Sequence, residues 1–231
     1  MSRAIILFDL DGVLVDVRAS YHAAIRDTAE FFTGEAVQEE EIRSFKNRGG
    51  FNDDWDLTAA IVTSRGKTVA RTAIIDQFQS RYLGRDFDGL IRHETWIADN
   101  RRLTRLRARF KTGIVTGRPR PEAEYALRRF DADSLFDVLV TLEETPGELR
   151  KPSPFGIQLA MSRLDATTGV YFGDSVDDMT AAVSAGITAI GVLTADSPAG
   201  EQESRLRRSG ASSILAHIDR FEEALHAAGI D

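Results

Sequence analysis

Ala4-Ile-Ile-Leu-Phe-Asp-Leu-Asp-Gly12 is the stretch on which the reading of the chain turns. A short apolar run, Ala4 to Phe8, stops at Asp9; Leu10, Asp11 and Gly12 follow. An apolar run this short, ending at glycine, predicts a strand buried on both faces, as in parallel sheets. Asp9 and Asp11 then stand at its carboxyl end, where open α/β sheets bind ligands. Two carboxylates at the tip of a buried strand are costly as bare charges, and a bound cation is the usual compensation. A strand end closed by acidic turn residues is the bland alternative. Three later strand ends decide between the two.

Beyond this strand, Val17 to about His93 reads as helices, with no strand pattern among them. Ser20 to Phe32 is a helix ended by Thr33-Gly34, and Glu39 to Phe45 is a second. Gly49-Gly50 marks a loop, after which Asn52 or Asp53 caps a helix over Asp54 to Thr63. Val69 to Leu83 is amphipathic, with Ile74, Ile75, Phe78 and Tyr82 at helical spacing. From about Glu94 the pattern changes. Strands are expected at Thr112 to Val115, Phe136 to Val140, Val170 to Phe172, Ile187 to Val192 and Ile214-Leu215. Helices are expected between them, at Asn100 to Phe110, Pro121 to Phe130, Pro154 to Arg163, Asp178 to Ala185, residues 201 to 208 and His217 to Ala228. Alternation of this kind predicts an α/β fold with a doubly wound parallel sheet. The first strand belongs with it. Residues 1–16 and 94–231 are therefore expected to form one α/β core, and 17–93 an inserted all-α cap domain.

The 231 residues are 42% hydrophobic and 28% charged, ordinary for a globular chain of one large or two modest domains. The net charge of −7 argues against a nucleic-acid partner, which favours a basic face. No apolar run approaches the length of a membrane span, and Asp9 breaks the N-terminal run, so neither a membrane helix nor a signal peptide is expected. A cytoplasmic chain, monomeric or homodimeric, is the expectation. Cysteine is absent, which excludes disulfides, thiolate metal sites and a cysteine nucleophile. Lysine occurs only at 46, 67, 111 and 151.

The strand ends of a parallel sheet open on one edge. They carry Asp9 and Asp11, Thr116, Lys151 just after a loop, and Asp174 to Asp178. A hydroxyl, an ammonium and several carboxylates in one place suit phosphate chemistry. A carboxylate can attack phosphorus to give an aspartyl-phosphate. Its charge repels a phosphate dianion, so a divalent cation belongs between them, and aspartate oxygens suit Mg²⁺. Lys151 would neutralise the phosphoryl charge, while the Thr116 hydroxyl and nearby backbone N–H groups donate to its oxygens. A second carboxylate is needed to protonate the leaving alkoxide and then to deprotonate water.

Phe8-Asp-Leu-Asp-Gly-Val-Leu-Val-Asp16 resembles the first motif of the haloacid dehalogenase superfamily. Val115-Thr-Gly-Arg118 resembles its second, Lys151-Pro-Ser-Pro154 its third, and Gly173-Asp-Ser-Val-Asp-Asp178 its fourth. Order and strand placement agree, and the helical insertion resembles the cap found after the first strand in one branch of that superfamily. The resemblance implies a Rossmann-like core and assigns roles. Asp9 would be the nucleophile. Asp11 would be the general acid/base, with its backbone carbonyl on the metal. Thr116, Gly117 and Lys151 would bind the phosphoryl group. Asp174 would ligate Mg²⁺, with Asp178 as a ligand or just behind it; Asp177 competes with Asp178 for that place. Haloacid dehalogenases of this superfamily lack an aspartate at the position of Asp11, so its presence points to phosphoryl transfer.

The expected activity is a Mg²⁺-dependent phosphomonoesterase acting on a small phosphorylated metabolite. A sugar phosphomutase with the same core chemistry, and a non-catalytic binding protein on this fold, are the alternatives. Lys46 and Arg48, on the loop between two cap helices, are candidates for substrate specificity. Arg118 is expected to face substrate or solvent. His22 lies about one residue from where some sugar phosphomutases carry a cap histidine, and a packing or surface role is expected for it. Trp55 is expected to pack in the cap.

Overall fold

A computed structural model describes residues 4–47, 53–194 and 199–230. The chain divides into two compact units, residues 1–15 with 96–231, and residues 16–95. It crosses between them within β2 (Val15–Asp16) and returns within β3 (Thr95–Trp96).

The first unit is built on a six-stranded sheet. β1 (Ile5–Phe8), β4 (Lys111–Val115), β5 (Val138–Val140), β6 (Gly169–Gly173), β7 (Thr188–Val192) and β8 (Ser213–Leu215) lie in the order β5-β4-β1-β6-β7-β8. Every pairing is parallel. β1 is central because it is apolar throughout: Ile5, Ile6, Leu7 and Phe8 are fully buried, as a strand covered on both faces requires. Leu7 pairs in register with Gly113 on one side and Tyr171 on the other. Successive strands leave β1 first to one side and then to the other. This reversal opens a crevice at the carboxyl ends beside β1, the place where doubly wound sheets hold ligands.

Helices Asn100–Arg107, Arg120–Arg129, Phe155–Arg163, Val176–Ser184, Ala199–Arg208 and Phe221–Ala227 connect the strands. Leu103 and Leu106 are buried, as the spacing predicts, but that helix ends at Arg107 rather than Phe110. The Ala108 N–H still reaches the Thr104 carbonyl, while the Arg109 N–H turns to Leu106, a tighter last turn. Phe8 stacks on Phe172 at 5.2 Å and meets Phe136 edge-on at 6.0 Å. Such pairs contribute about 0.5–1.5 kcal/mol each beyond the area they bury.

The second unit is helical between its two crossings: Ala23–Thr33, Glu39–Asn47, Asp54–Ser64 and Arg71–Tyr82 are α-helices. The first ends at Gly34, whose φ of 72° supplies the left-handed turn that a C-cap needs. Asp53 caps the third, accepting from the Trp55 and Asp56 N–H groups. Ile74, Phe78 and Tyr82 are buried at their helical spacing, and Tyr21 stacks on Tyr82 at 4.2 Å. Glu94 is buried in this unit as well, its Oε1 accepting from Ser20 Oγ and Tyr82 OH at 2.9 Å each. Trp55 is half-buried under the Arg71 guanidinium, 5.8 Å from the ring centre. Among the described residues, no helix is long and apolar enough to cross a membrane.

Candidate active site

The strand ends around β1 bring Asp9, Thr116, Lys151, Asp174 and Asp178 to one edge. Asp9 directly follows β1, and its N–H still donates to the Phe172 carbonyl, so its backbone is fixed by the ladder. Its side chain is almost wholly enclosed, and Oδ1 lies 3.0 Å from Lys151 Nζ. Thr116 directly follows β4 and is buried, its N–H on the Val140 carbonyl. Its Oγ1 accepts from the Arg118 N–H at 3.2 Å, which leaves the hydroxyl proton to be donated elsewhere. Gly117, between them, is exposed. Asp174 directly follows β6 and is half-buried.

Lys151 is the hub. Its ammonium has three protons, and four oxygens surround it: Asp178 Oδ1 at 2.6 Å, Asp9 Oδ1 at 3.0 Å, Tyr171 OH at 3.1 Å and the Val115 carbonyl at 3.5 Å. Asp178 sits at the start of the helix Val176–Ser184 and closes its capping box. Its Oδ2 accepts from the Ser175 N–H at 3.1 Å and hydroxyl at 2.6 Å. Its Oδ1 takes Lys151 and is 3.1 Å from Tyr171 OH. Both oxygens of Asp178 are thus occupied by protein donors.

These contacts set the protonation states. Burial pushes the Asp9 carboxyl up to about 7; Lys151 pulls it back, while Asp178 and Asp11 push it further up. Burial also raises Asp178, but Lys151 and the Ser175 donors outweigh it and hold that carboxyl below the ordinary range. Burial alone would lower Lys151; Asp178 and Asp9 more than offset it and hold the ammonium well above its ordinary value. Burial, then Asp178, raises the Tyr171 phenol, which stays neutral.

Asp9, Asp174 and Asp178 each offer an oxygen, all within 4.8 Å of one another. Hard oxygens at that separation, including a buried carboxylate whose charge burial disfavours, fit a divalent cation. Asp177 is buried but is not one of the three. Two glycines permit the crowding. Gly12 has a φ of 74°, and a Cβ there would overlap the Asp174 carboxylate. A Cβ on Gly173 would overlap the Asp178 side chain.

Arg118, expected to face substrate or solvent, is closed off from solvent: it is 1% exposed and ion-paired with Asp11. The reason is electrostatic, since a guanidinium enclosed by the sheet edge needs an anion beside it. Tyr171 was not expected among the polar groups at all. Its one sequence signal is a phenol within a buried strand, where a hydroxyl needs a partner.

The residues expected from the helical segment belong to the second unit. Lys46 Nζ is 3.2 Å from Asp54 Oδ1, within the helical unit. Arg48, with Gly49, Gly50 and Asn52, lies outside the described residues. His22 is buried with Nδ1 3.5 Å from Glu39 Oε2, which agrees with a packing role.

The comparisons with known proteins point the same way. An imidazoleglycerol-phosphate dehydratase of Phytophthora nicotianae is 39% identical over 82% of this chain, which spans only 43% of that relative's length. Pyrophosphatase PpaX of Bacillus pumilus is 28% identical over 81% of the chain and 82% of its own length. The solved structure of phosphatase Tt82 from Thermococcus thioreducens superimposes with a TM-score of 0.68 at 27% identity, covering 96% of this chain and 99% of that one. The haloacid dehalogenase-like hydrolase model matches residues 6–192, from within β1 to the last residue of β7, and so takes in every strand end described above. On that match the chain belongs to the haloacid dehalogenase-like hydrolase family.

Proposed function

We propose that this protein is a phosphomonoesterase that hydrolyses a small phosphorylated metabolite through an aspartyl-phosphate on Asp9. The observation that carries the reading is the placement of Lys151. Its ammonium stands 3.0 Å from the Asp9 carboxylate, beside the strand end that bears Thr116. A nucleophilic carboxylate, a fixed cation and a hydroxyl donor are what an in-line attack on phosphorus requires.

In this reading an Asp9 oxygen attacks phosphorus and the ester P–O bond breaks. Asp11 gives its proton to the departing alkoxide. Water then attacks the same phosphorus, Asp11 takes its proton, and the bond to Asp9 breaks to release inorganic phosphate. Lys151, Thr116 and the Gly117 N–H hold the phosphoryl oxygens. Asp178 and Tyr171 hold Lys151. Asp9, Asp174 and the Asp11 carbonyl would hold Mg²⁺, with Asp178 bracing the site; bound there, the ion supplies charge neutralisation between nucleophile and phosphate. Relatives named as phosphatases and pyrophosphatases support a small phosphorylated substrate.

The test is phosphate release from p-nitrophenyl phosphate and a panel of small phosphate esters, with Mg²⁺ and with chelator. Asp9→Asn is expected to abolish turnover. Wild-type rates from purified, folded Asp9→Asn would overturn the mechanism.

A further inference from the structure

We propose that Arg118 is a positioning residue that aims the Asp11 carboxylate for proton transfer. The inference rests on the reading of Asp11 as the acid/base.

Arg118 is the one arginine among the described residues that is buried, and its side chain is wholly enclosed. Its backbone is pinned on both sides. The N–H donates to Thr116 Oγ1 at 3.2 Å, and the carbonyl accepts from the Leu142 N–H at 2.9 Å. Pro119 follows, which disfavours helical backbone at Arg118 and narrows its conformational range. The guanidinium therefore projects from a rigid base.

Its nitrogens do not form the usual fork on two oxygens. Nε donates to Asp11 Oδ1 at 2.6 Å, and Nη2 lies 2.5 Å from that same oxygen. Oδ2 receives no hydrogen bond among the described residues. One oxygen is clamped and the other stays open. The Asp11 side chain is 30% exposed, so the clamped carboxylate can still be reached.

A clamp on one oxygen also removes the rotation that would otherwise spread the second oxygen over many directions. Misplacement of a reacting group by about 1 Å costs on the order of 10²-fold in rate. Through its N–H, the same residue orients Thr116. Arg118 thus ties the acid/base to the phosphoryl-binding hydroxyl across β1 and β4.

The experiment is a double-mutant cycle on p-nitrophenyl phosphate and phenyl phosphate with Mg²⁺, using wild type, Asp11→Asn, Arg118→Met and the double variant. Arg118→Met is expected to lower kcat by about 10- to 100-fold with KM changed less than about 3-fold. Arg118→Lys, which keeps the charge but loses the planar donor, should recover part of the loss. In the Asp11→Asn background, Arg118→Met should add less than about 2-fold. An equal loss in both backgrounds, or a raised KM with kcat intact, overturns the proposal. If Arg118→Met does not fold by circular dichroism, Arg118→Lys takes its place in the same cycle, under the same criteria. An inactive Asp9→Asn with an additive cycle would sink this inference alone, whereas an active Asp9→Asn would sink the reading beneath it.

Discussion

Two cations face the acidic residues at the end of β1, and they are arranged differently. Lys151 stands between two carboxylates, Asp9 and Asp178, with Tyr171 and the Val115 carbonyl completing its surroundings. Arg118 grips Asp11 through one carboxylate oxygen, with Nε and Nη2 both against Oδ1. The first cluster carries a surplus of negative charge at a buried point, which favours a further cation. In the second, both donors sit on one oxygen, and the other oxygen of Asp11 accepts no hydrogen bond among the described residues. The difference follows from the side chains. An ammonium is a point charge that several anions can share, whereas a guanidinium is a rigid plane that fixes a partner's direction.

The strongest way to break this contrast is Lys151→Met. It removes the charge shared by Asp9 and Asp178, and kcat for p-nitrophenyl phosphate is expected to fall about 10³-fold, as for a lost electrostatic stabiliser. A loss under 10-fold would mean that Lys151 is structural.

A pH experiment comes next, because the two carboxylates beside Lys151 shift in opposite directions. Asp9 is raised to about 7, so between its ordinary value of 3.8 and 7 the folded state holds a proton that the unfolded state has lost. Stability from this group therefore falls as pH rises toward 7. In chelator at pH 8, Asp9→Asn should be more stable than wild type by up to about 4 kcal/mol, from roughly three pKa units at 1.36 kcal/mol each. The lost contact with Lys151 reduces that figure. The gap should narrow toward pH 5, measured by thermal denaturation at both pH values. Asp178 is lowered, so its stabilisation is present above 3.8 and is lost as pH falls through its depressed value. A gap that widens on acidification would contradict the assignment.

Asp178→Asn keeps the volume but weakens the hold on Lys151, and a kcat loss of about 10- to 100-fold is expected. Tyr171→Phe should have the smallest effect. It removes one neutral hydroxyl, worth about 0.5–1.5 kcal/mol, so steady-state kinetics should show a loss of about 2- to 10-fold.

How far the chain could be read without coordinates differs from one element to the next. β1 was legible because four apolar residues ending at Asp9 have few other solutions, and the parallel sheet followed from strands alternating with helices. Asp9, Thr116 and Asp174 were legible as polar residues placed where apolar strands stop. Element ends were less so: the strand expected at Phe136 begins at Val138, because the Asp137 N–H is already bonded to the Thr112 carbonyl ahead of the β5 ladder. The surroundings of Arg118 and Tyr171 were not legible. Arg118 follows Gly117 in a turn, where arginines are ordinarily solvated, and its burial depends on Asp11, 107 positions earlier. Tyr171 looked like one more apolar strand residue, because its hydroxyl finds Lys151 and Asp178 only once β6 lies beside the loop after β5. Periodicity reports which face is covered. It does not report which polar atom waits there.

Gly12 and Gly173 give the site a property that no catalytic residue supplies. Each stands where a single added carbon would coincide with a carboxylate, Asp174 in one case and Asp178 in the other. The close approach of these carboxylates to the backbone is therefore set by two missing methyl groups. Every natural replacement at either position adds at least that carbon, so no gradual series of substitutions leads away from the present dimensions. In engineering terms these two positions admit no side chain, and any redesign of the site has to begin from other residues.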